Sequence, residues 1–146
     1  MHIAYMKLAL EQAKLAQEKN EVPIGAVLVV DDEVISKQHN QTITNKDPTA
    51  HAEILCIREA CLLQNNHRLT NATLYITLEP CIMCYGAIIQ SRVKHVVYGA
   101  IDPKSGVFSK PHLINHLNLN HHPQSTSAIL AKESQALLQS FFQERR

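Results

Sequence analysis

The sequence predicts an α/β domain, one sheet with helices packed against it. Three observations lead there. Short runs of β-formers alternate with longer amphipathic segments over residues 3–100. The chain has 146 residues, 45% of them apolar and 18% charged, which suits a single globular domain with its own core. Two groups of metal-binding residue types also fall at predicted helix starts, where α/β sheets hold their ligands.

In chain order, Ile3, Met6, Leu10 and Ala13 recur at helical spacing among Lys and Glu, predicting an amphipathic helix over 3–19. Gly25-Ala26-Val27-Leu28-Val29-Val30 reads as a short apolar strand. Asp31-Asp32 supplies a turn, and Glu33 to Gln38 returns as the second strand of a hairpin. Residues 40–49 are polar and contain Pro48, so they read as a loop. A second helix is expected over 50–64, and Thr73 to Thr77 is a strand rich in β-formers. Residues 81–91 predict a third helix, and His95 to Gly99 a fourth strand. Asp102-Pro103-Lys104-Ser105-Gly106 is a turn. Residues 107–127, rich in His, Asn and Ser, suggest one short helix around Leu113, Ile114 and Leu117. Ile129 to Phe142 closes the chain as an amphipathic helix.

The chemistry concentrates in His51-Ala52-Glu53 and Pro80-Cys81-Ile82-Met83-Cys84. One imidazole, two thiols and no evident fourth ligand is the donor set of a catalytic zinc, which keeps a position open for water. Zinc lowers the pKa of that water from about 15.7 toward 7, and a carboxylate two residues from the imidazole is placed to move its protons. Pro48 and Pro80 stand just before the two groups, and proline favours the first helical position. His51, Cys81 and Cys84 are therefore expected at helix mouths, where the positive helix end favours thiolate. Residues two apart inside a helix face different ways, so His51 and Glu53 converge more easily from an open first turn. Taken singly, a C-x-x-C pair is equally a redox couple or half of a structural zinc site, and most His-x-Glu triplets are surface helix. Together, H-x-E…P-C-x-x-C is a known signature of zinc deaminases.

Composition excludes several classes. No apolar run approaches the roughly 20 residues of a membrane span, and the N-terminus lacks the pattern of a signal peptide. Cys56, Cys61, Cys81 and Cys84 do not form a secreted disulfide framework, which suits a reduced cytoplasm; Cys56 and Cys61 read as small buried hydrophobes. The net charge is +1, but residues 92–146 hold 7 Lys+Arg against 3 Asp+Glu, and five of the nine His lie there. A basic C-terminal third is as compatible with an ordinary solvated surface as with a nucleic-acid face.

These residues resemble the bacterial tRNA-specific adenosine deaminases, the TadA family of the cytidine-deaminase-like superfamily. The resemblance runs through Glu21 to Val27, Asp47 to Ile54, Leu74 to Arg92, Tyr98-Gly99-Ala100 with Asp102, and Phe141-Phe142 with Arg145-Arg146. It implies a three-layer α/β/α fold around a five-stranded mixed sheet, a homodimer, and hydrolytic conversion of the wobble adenosine of a tRNA anticodon stem-loop to inosine. It also implies one zinc ion per chain on His51, Cys81 and Cys84, with Glu53 as proton shuttle. Asn40 would hydrogen-bond the nucleotide, and Pro23 and Ile24 would wall the pocket. Asp102 would lie near the anticodon backbone.

Phe141 and Phe142 point about 100° apart on a helix, so one should bury while the other meets substrate. Arg145 and Arg146 each share a face with one Phe, a pairing that single-stranded nucleic acid uses. Two departures stand out. Ile101 occupies a position where Arg is common in relatives, and Pro123 falls in the fifth-strand region, where it is tolerated at an edge or a strand start. The rival readings are a free-base or nucleoside deaminase acting on guanine or cytosine and, more remotely, a non-catalytic zinc or dithiol module.

Overall fold

The computed structural model describes residues 1–145. Five strands form one mixed sheet: β1 (Gly25–Val30), β2 (Glu33–His39), β3 (Ala72–Leu78), β4 (His95–Ala100) and β5 (Gln124–Thr126). Their order is β2-β1-β3-β4-β5. β1 pairs antiparallel with β2 and β3, whereas β3–β4 and β4–β5 are parallel. Four helices accompany them: α1 (His2–Glu18), α2 (Ala52–Gln64), α3 (Ile82–Ser91) and α4 (Ala131–Gln143).

The strand period of two sorts the core into two layers. Ala26, Leu28, Leu74, Ile76, Val96 and Tyr98 face α2 and α3, meeting Ala52, Cys56, Ile57, Ala60 and Ile88. Val27, Val29, Tyr75 and Val97 face the other way, onto Met6 and Ala9 of α1, with Ile129 and Leu130 joining from the approach to α4. Gly25 lets the sheet come close to α1: a Cβ there would clash with the Ala9 carbonyl oxygen and the Ala13 N–H. The result is the expected α/β/α sandwich. Among the described residues, no helix is long and apolar enough to cross a membrane.

Local chemistry explains the boundaries. Asp31 and Asp32 have φ of 51° and 63°, the double left-handed geometry of a two-residue hairpin turn. Asp tolerates that region better than most residues. α2 and α3 end on Asn65 and Arg92, both left-handed.

Several expectations need correction. Ile3 is 53% exposed; α1 instead buries Met6, Ala9, Leu10, Ala13 and Ala16. Neither proline occupies a first helical position. Pro48 lies in the preceding loop, and Pro80 precedes the N-cap Cys81. Ile129 and Leu130 precede α4 rather than opening it, because Leu130 is left-handed at φ 56°. In the 107–127 stretch only Pro111–Leu113 makes a helical turn, of 3₁₀ type. β5 follows Pro123 directly and lies at the sheet edge, where a missing N–H donor is tolerated.

Candidate active site

His51 and Cys81 are the N-cap residues of α2 and α3, with φ/ψ of −72°/152° and −80°/176°. That extended backbone lets each carbonyl accept the first helical bond, from Leu55 N–H (3.1 Å) and Tyr85 N–H (2.8 Å). Neither side chain caps its own helix, so both are free to turn toward each other. The candidate ligand atoms of His51, Cys81 and Cys84 all lie within 4.8 Å of one another. His51 Nδ1 is 3.7 Å from Cys81 Sγ and 3.5 Å from Cys84 Sγ. A borderline imidazole and two soft thiols suit zinc. Among the described residues, no fourth His, Cys, Asp or Glu joins the group.

The thiols divide one proton unequally. Hydrogen bonding from the Cys84 thiol, against the cost of burial and with help from His51, holds Cys81 down at about 3. Cys84, fully buried, is held well above the usual thiol range by Cys81 and by burial. The hydrogen bond to Cys81 outweighs burial at His51 and raises its pKa. These directions incline Cys81 toward thiolate, the metal-binding form, while Cys84 keeps its proton.

Glu53, in the first turn of α2, is 4% exposed. Burial raises its carboxyl to about 7, opposed by its own backbone N–H, the His51 imidazole and the Cys84 thiol. It faces a recess of about 140 Å³ together with Ile24, His51, Leu78, Glu79, Cys81, Asp102 and Ser105. Through Ile24, Leu78, Asp102 and Ser105 the recess shares walls with an apolar groove of about 520 Å³, extended by Val22, Ile101, Pro103, Lys104, Leu138 and Phe142.

The other expected residues divide. Ile24 lines both cavities; Pro23 is fully buried behind it and lines neither. Asn40 is 5% exposed, its backbone N–H donating to the Ile24 carbonyl at 3.0 Å. Among the described residues, its side-chain amide has no protein partner. Asp102 lines the recess, yet its Oδ1 also accepts the N–H groups of Lys104 (3.1 Å) and Ser105 (3.2 Å) and so caps its own turn. Phe142, 49% exposed, reaches the groove, while Phe141 is 3% exposed.

Arg145 shares a face with Phe141, as the helical spacing predicts, and already has partners in the fold. Its guanidinium lies 3.5 Å from the Phe141 ring centroid and donates to the Phe141 carbonyl and to Asn20 Oδ1, each at 3.1 Å. Arg146 lies outside the described residues. Ile101 stands exposed on the groove, so the face contributed there is apolar, not cationic.

Glu79, Ser105, Leu78 and Leu138 line the cavities without having been expected from the sequence. Only Glu79 carried a signal, a carboxylate at a strand end two residues before a ligand. The others depend on how the 101–109 loop and α4 fold back.

Known proteins bear on this geometry. The MafB19-like deaminase family matches residues 1–146. A tRNA-specific adenosine deaminase of Bacillus subtilis (strain 168) is 48% identical over 143 residues, covering 97% of this chain and 89% of its own. A solved structure from work on A-to-I editing by tRNA:A34 deaminases at the wobble position superposes with a TM-score of 0.89. It is 44% identical and covers 92% of this chain and 99% of its own. The guanine deaminase of Bacillus subtilis superposes at 0.67, with 39% identity over 69% of this chain and 65% of its own.

Proposed function

The chain belongs to the MafB19-like deaminase family, and we propose that it hydrolyses the wobble adenosine of a tRNA anticodon stem-loop to inosine. Support comes from relatives named for that reaction over nearly the whole chain. The observation that carries the reading is the continuity of recess and groove. A small recess beside Glu53 and the thiol–imidazole cluster suits one base. The wider apolar groove sharing its walls suits the rest of a polymer.

His51, Cys81 and Cys84 would hold one zinc ion per chain, and the two-thiol, one-imidazole set fits it. When bound, zinc makes water a nucleophile at neutral pH. Glu53 carries the protons. Its carboxylate takes one proton from the attacking water and delivers it to the ring nitrogen, then takes the second from the oxygen now bonded to C6 and delivers it to the departing amine. The water oxygen stays on C6 and ammonia leaves. Burial at Glu53, which raises its affinity for a proton, suits a group that must hold a proton and then give it up. The base must leave its stack to enter, which costs least in a single-stranded loop. Ile24 and Leu78 wall the recess, and Asp102 and Ser105 close the far side; Asn40, buried and bonded through its backbone to Ile24 but lining neither cavity, would meet the nucleotide through its amide.

We assign the whole chain to one deaminase domain, acting in the cytoplasm as a homodimer. Mass spectrometry of an anticodon stem-loop before and after incubation tests the reaction. The expected product is one dalton heavier at the wobble base. A free-base activity is the second reading, favoured by the guanine deaminase likeness. Turnover of free guanine with an untouched stem-loop would establish it instead. Sedimentation of the zinc-loaded protein tests the dimer.

A further inference from the structure

We propose that Glu79 is a positioning residue: it clamps the 102–109 loop so that Asp102 and Ser105 form a fixed wall opposite His51 and Glu53. The inference rests on the reading of the recess as the base-binding site. Glu79 follows β3 directly, and its backbone N–H continues the ladder to the Ala100 carbonyl at 2.9 Å. Its side chain is buried at 3% exposure and lines the recess. Both carboxylate oxygens are nevertheless spent on the loop. Oε1 accepts the Asp102 N–H and the Ser109 hydroxyl, each at 3.0 Å, and Oε2 accepts the Ser109 N–H at 2.7 Å.

Asp102 and Ser109 are the two ends of the loop, so one carboxylate closes its mouth. The second half of the loop has its own anchors: Val107 is buried against Tyr85 and Ile89 and donates its N–H to the Pro80 carbonyl at 3.2 Å, Phe108 packs on Tyr85 and Tyr98, and the Lys110 ammonium reaches the Pro103 and Lys104 carbonyls. Within the loop, Asp102 caps Lys104 and Ser105, and the Gly106 N–H donates to the Asp102 carbonyl at 2.9 Å. Gly106 shows how tightly it is wrapped: a Cβ there would come 2.2 Å from Glu79 Oε1 and 2.7 Å from the Asp102 carbonyl oxygen. Glu79 is the group that ties Asp102, at the recess end of the loop, to Ser109 at the other end, and so fixes the wall not built from helix starts or from residues 24 and 78. An ionised carboxylate only accepts, whereas an amide must donate from one end. In Glu79→Gln, either orientation of the amide turns a donor toward a backbone N–H, of Asp102 or of Ser109.

The test compares wild type, Glu79→Gln, and Ser109→Ala, which removes only the exposed hydroxyl donor and should fold normally. Backbone hydrogen exchange and stem-loop kinetics are read on zinc-loaded protein. In Glu79→Gln, exchange at 102–109 should rise at least tenfold while α2 and α3 keep wild-type protection and zinc stays bound. KM for the stem-loop should rise several-fold more than kcat falls, and Ser109→Ala should show a smaller change of the same pattern. If Glu79→Gln does not fold, Ser109→Ala alone decides by the same two readouts. Unchanged exchange in the loop overturns the clamp. Faster exchange with unchanged KM, in a protein whose wild type deaminates the stem-loop, overturns the positioning role. A wild type inactive on the stem-loop overturns the tRNA reading, and the exchange data then decide the clamp alone.

Discussion

Glu53 and Glu21 are the same residue type, both almost wholly buried, yet they sit in opposite surroundings. Burial pushes each carboxyl upward. At Glu21, in the corner between α1 and β1, the Thr44 hydroxyl and N–H at 2.6 Å and the Ile43 N–H at 3.2 Å reverse that push and leave its pKa lowered. At Glu53, on the wall of the recess, burial wins and the carboxyl rises to about 7. The lesson is that burial alone does not mark a catalytic carboxylate. What separates the two is whether the surrounding chain has already used the acceptor capacity. A group saturated by its own fold holds structure, and one facing a cavity with capacity left is available for chemistry.

The same change made at both sites separates the two carboxylates. Glu53→Gln should keep the fold and the metal but lose the reaction, because an amide cannot take up and return a proton. The expected loss is at least about 10²–10⁴-fold in kcat, read on the stem-loop with zinc content measured in parallel. Near-normal turnover would remove Glu53 as the proton carrier.

Glu21→Gln should do the reverse. Its amide must set a donor against the N–H of Ile43 or Thr44, so stability should fall by about 1–3 kcal/mol, seen as a lower denaturant midpoint at pH 7. Turnover per folded, zinc-loaded molecule should change far less than in Glu53→Gln. A large activity loss with an unchanged midpoint would show that the two carboxylates do not divide as described. The pH dependence follows from the sign of the shift. The folded pKa of Glu21 lies below its ordinary 4.5, so its contribution is fully present above that value and is lost as pH falls through the folded pKa. The stability gap between wild type and Glu21→Gln should therefore be constant near neutrality and close in acid. A gap that persists unchanged through the acid range would assign it to packing and not to charge.

The same distinction between spent and unspent groups explains how much was legible in the sequence. The elements from Gly25 to Ala100 were readable because β1, β3 and β4 lie inside the sheet and α2 packs its apolar face on it. Hydrophobic period and burial then agree. That His51, Cys81 and Cys84 would meet, with Glu53 beside them, was readable because ligand chemistry admits few residue types at that spacing. Beyond Ala100 the pattern thins. β5 is three residues long at an edge, with little buried to impose a period. The clamping roles of Glu21 and Glu79 were not readable, since a glutamate in sequence does not reveal whether three loop donors will reach it. The tie between Arg145 and Asn20 was not readable for the same reason: the two lie 125 positions apart.

The smallest effects lie at the end of α4, where Phe142 is unspent and Arg145 is spent. Phe142 stands on the groove, and a base stacked on an aromatic ring contributes about 1–3 kcal/mol by alanine substitution. Phe142→Ala should therefore weaken stem-loop binding by up to that amount without altering zinc content. Arg145 lies over the Phe141 ring and is tied to Asn20. Arg145→Ala should cost about 0.5–1 kcal/mol of stability, the range of a cation–π contact near the surface. Stem-loop affinity at moderate salt should be unchanged. The salt dependence discriminates further: a side chain that neutralises one phosphate contributes about 0.7–0.9 to the slope of log K against log salt. An unchanged slope in Arg145→Ala keeps this arginine inside the fold. A slope reduced by nearly one would mean that it leaves Phe141 to meet RNA, and the structural argument that it is already satisfied would fail.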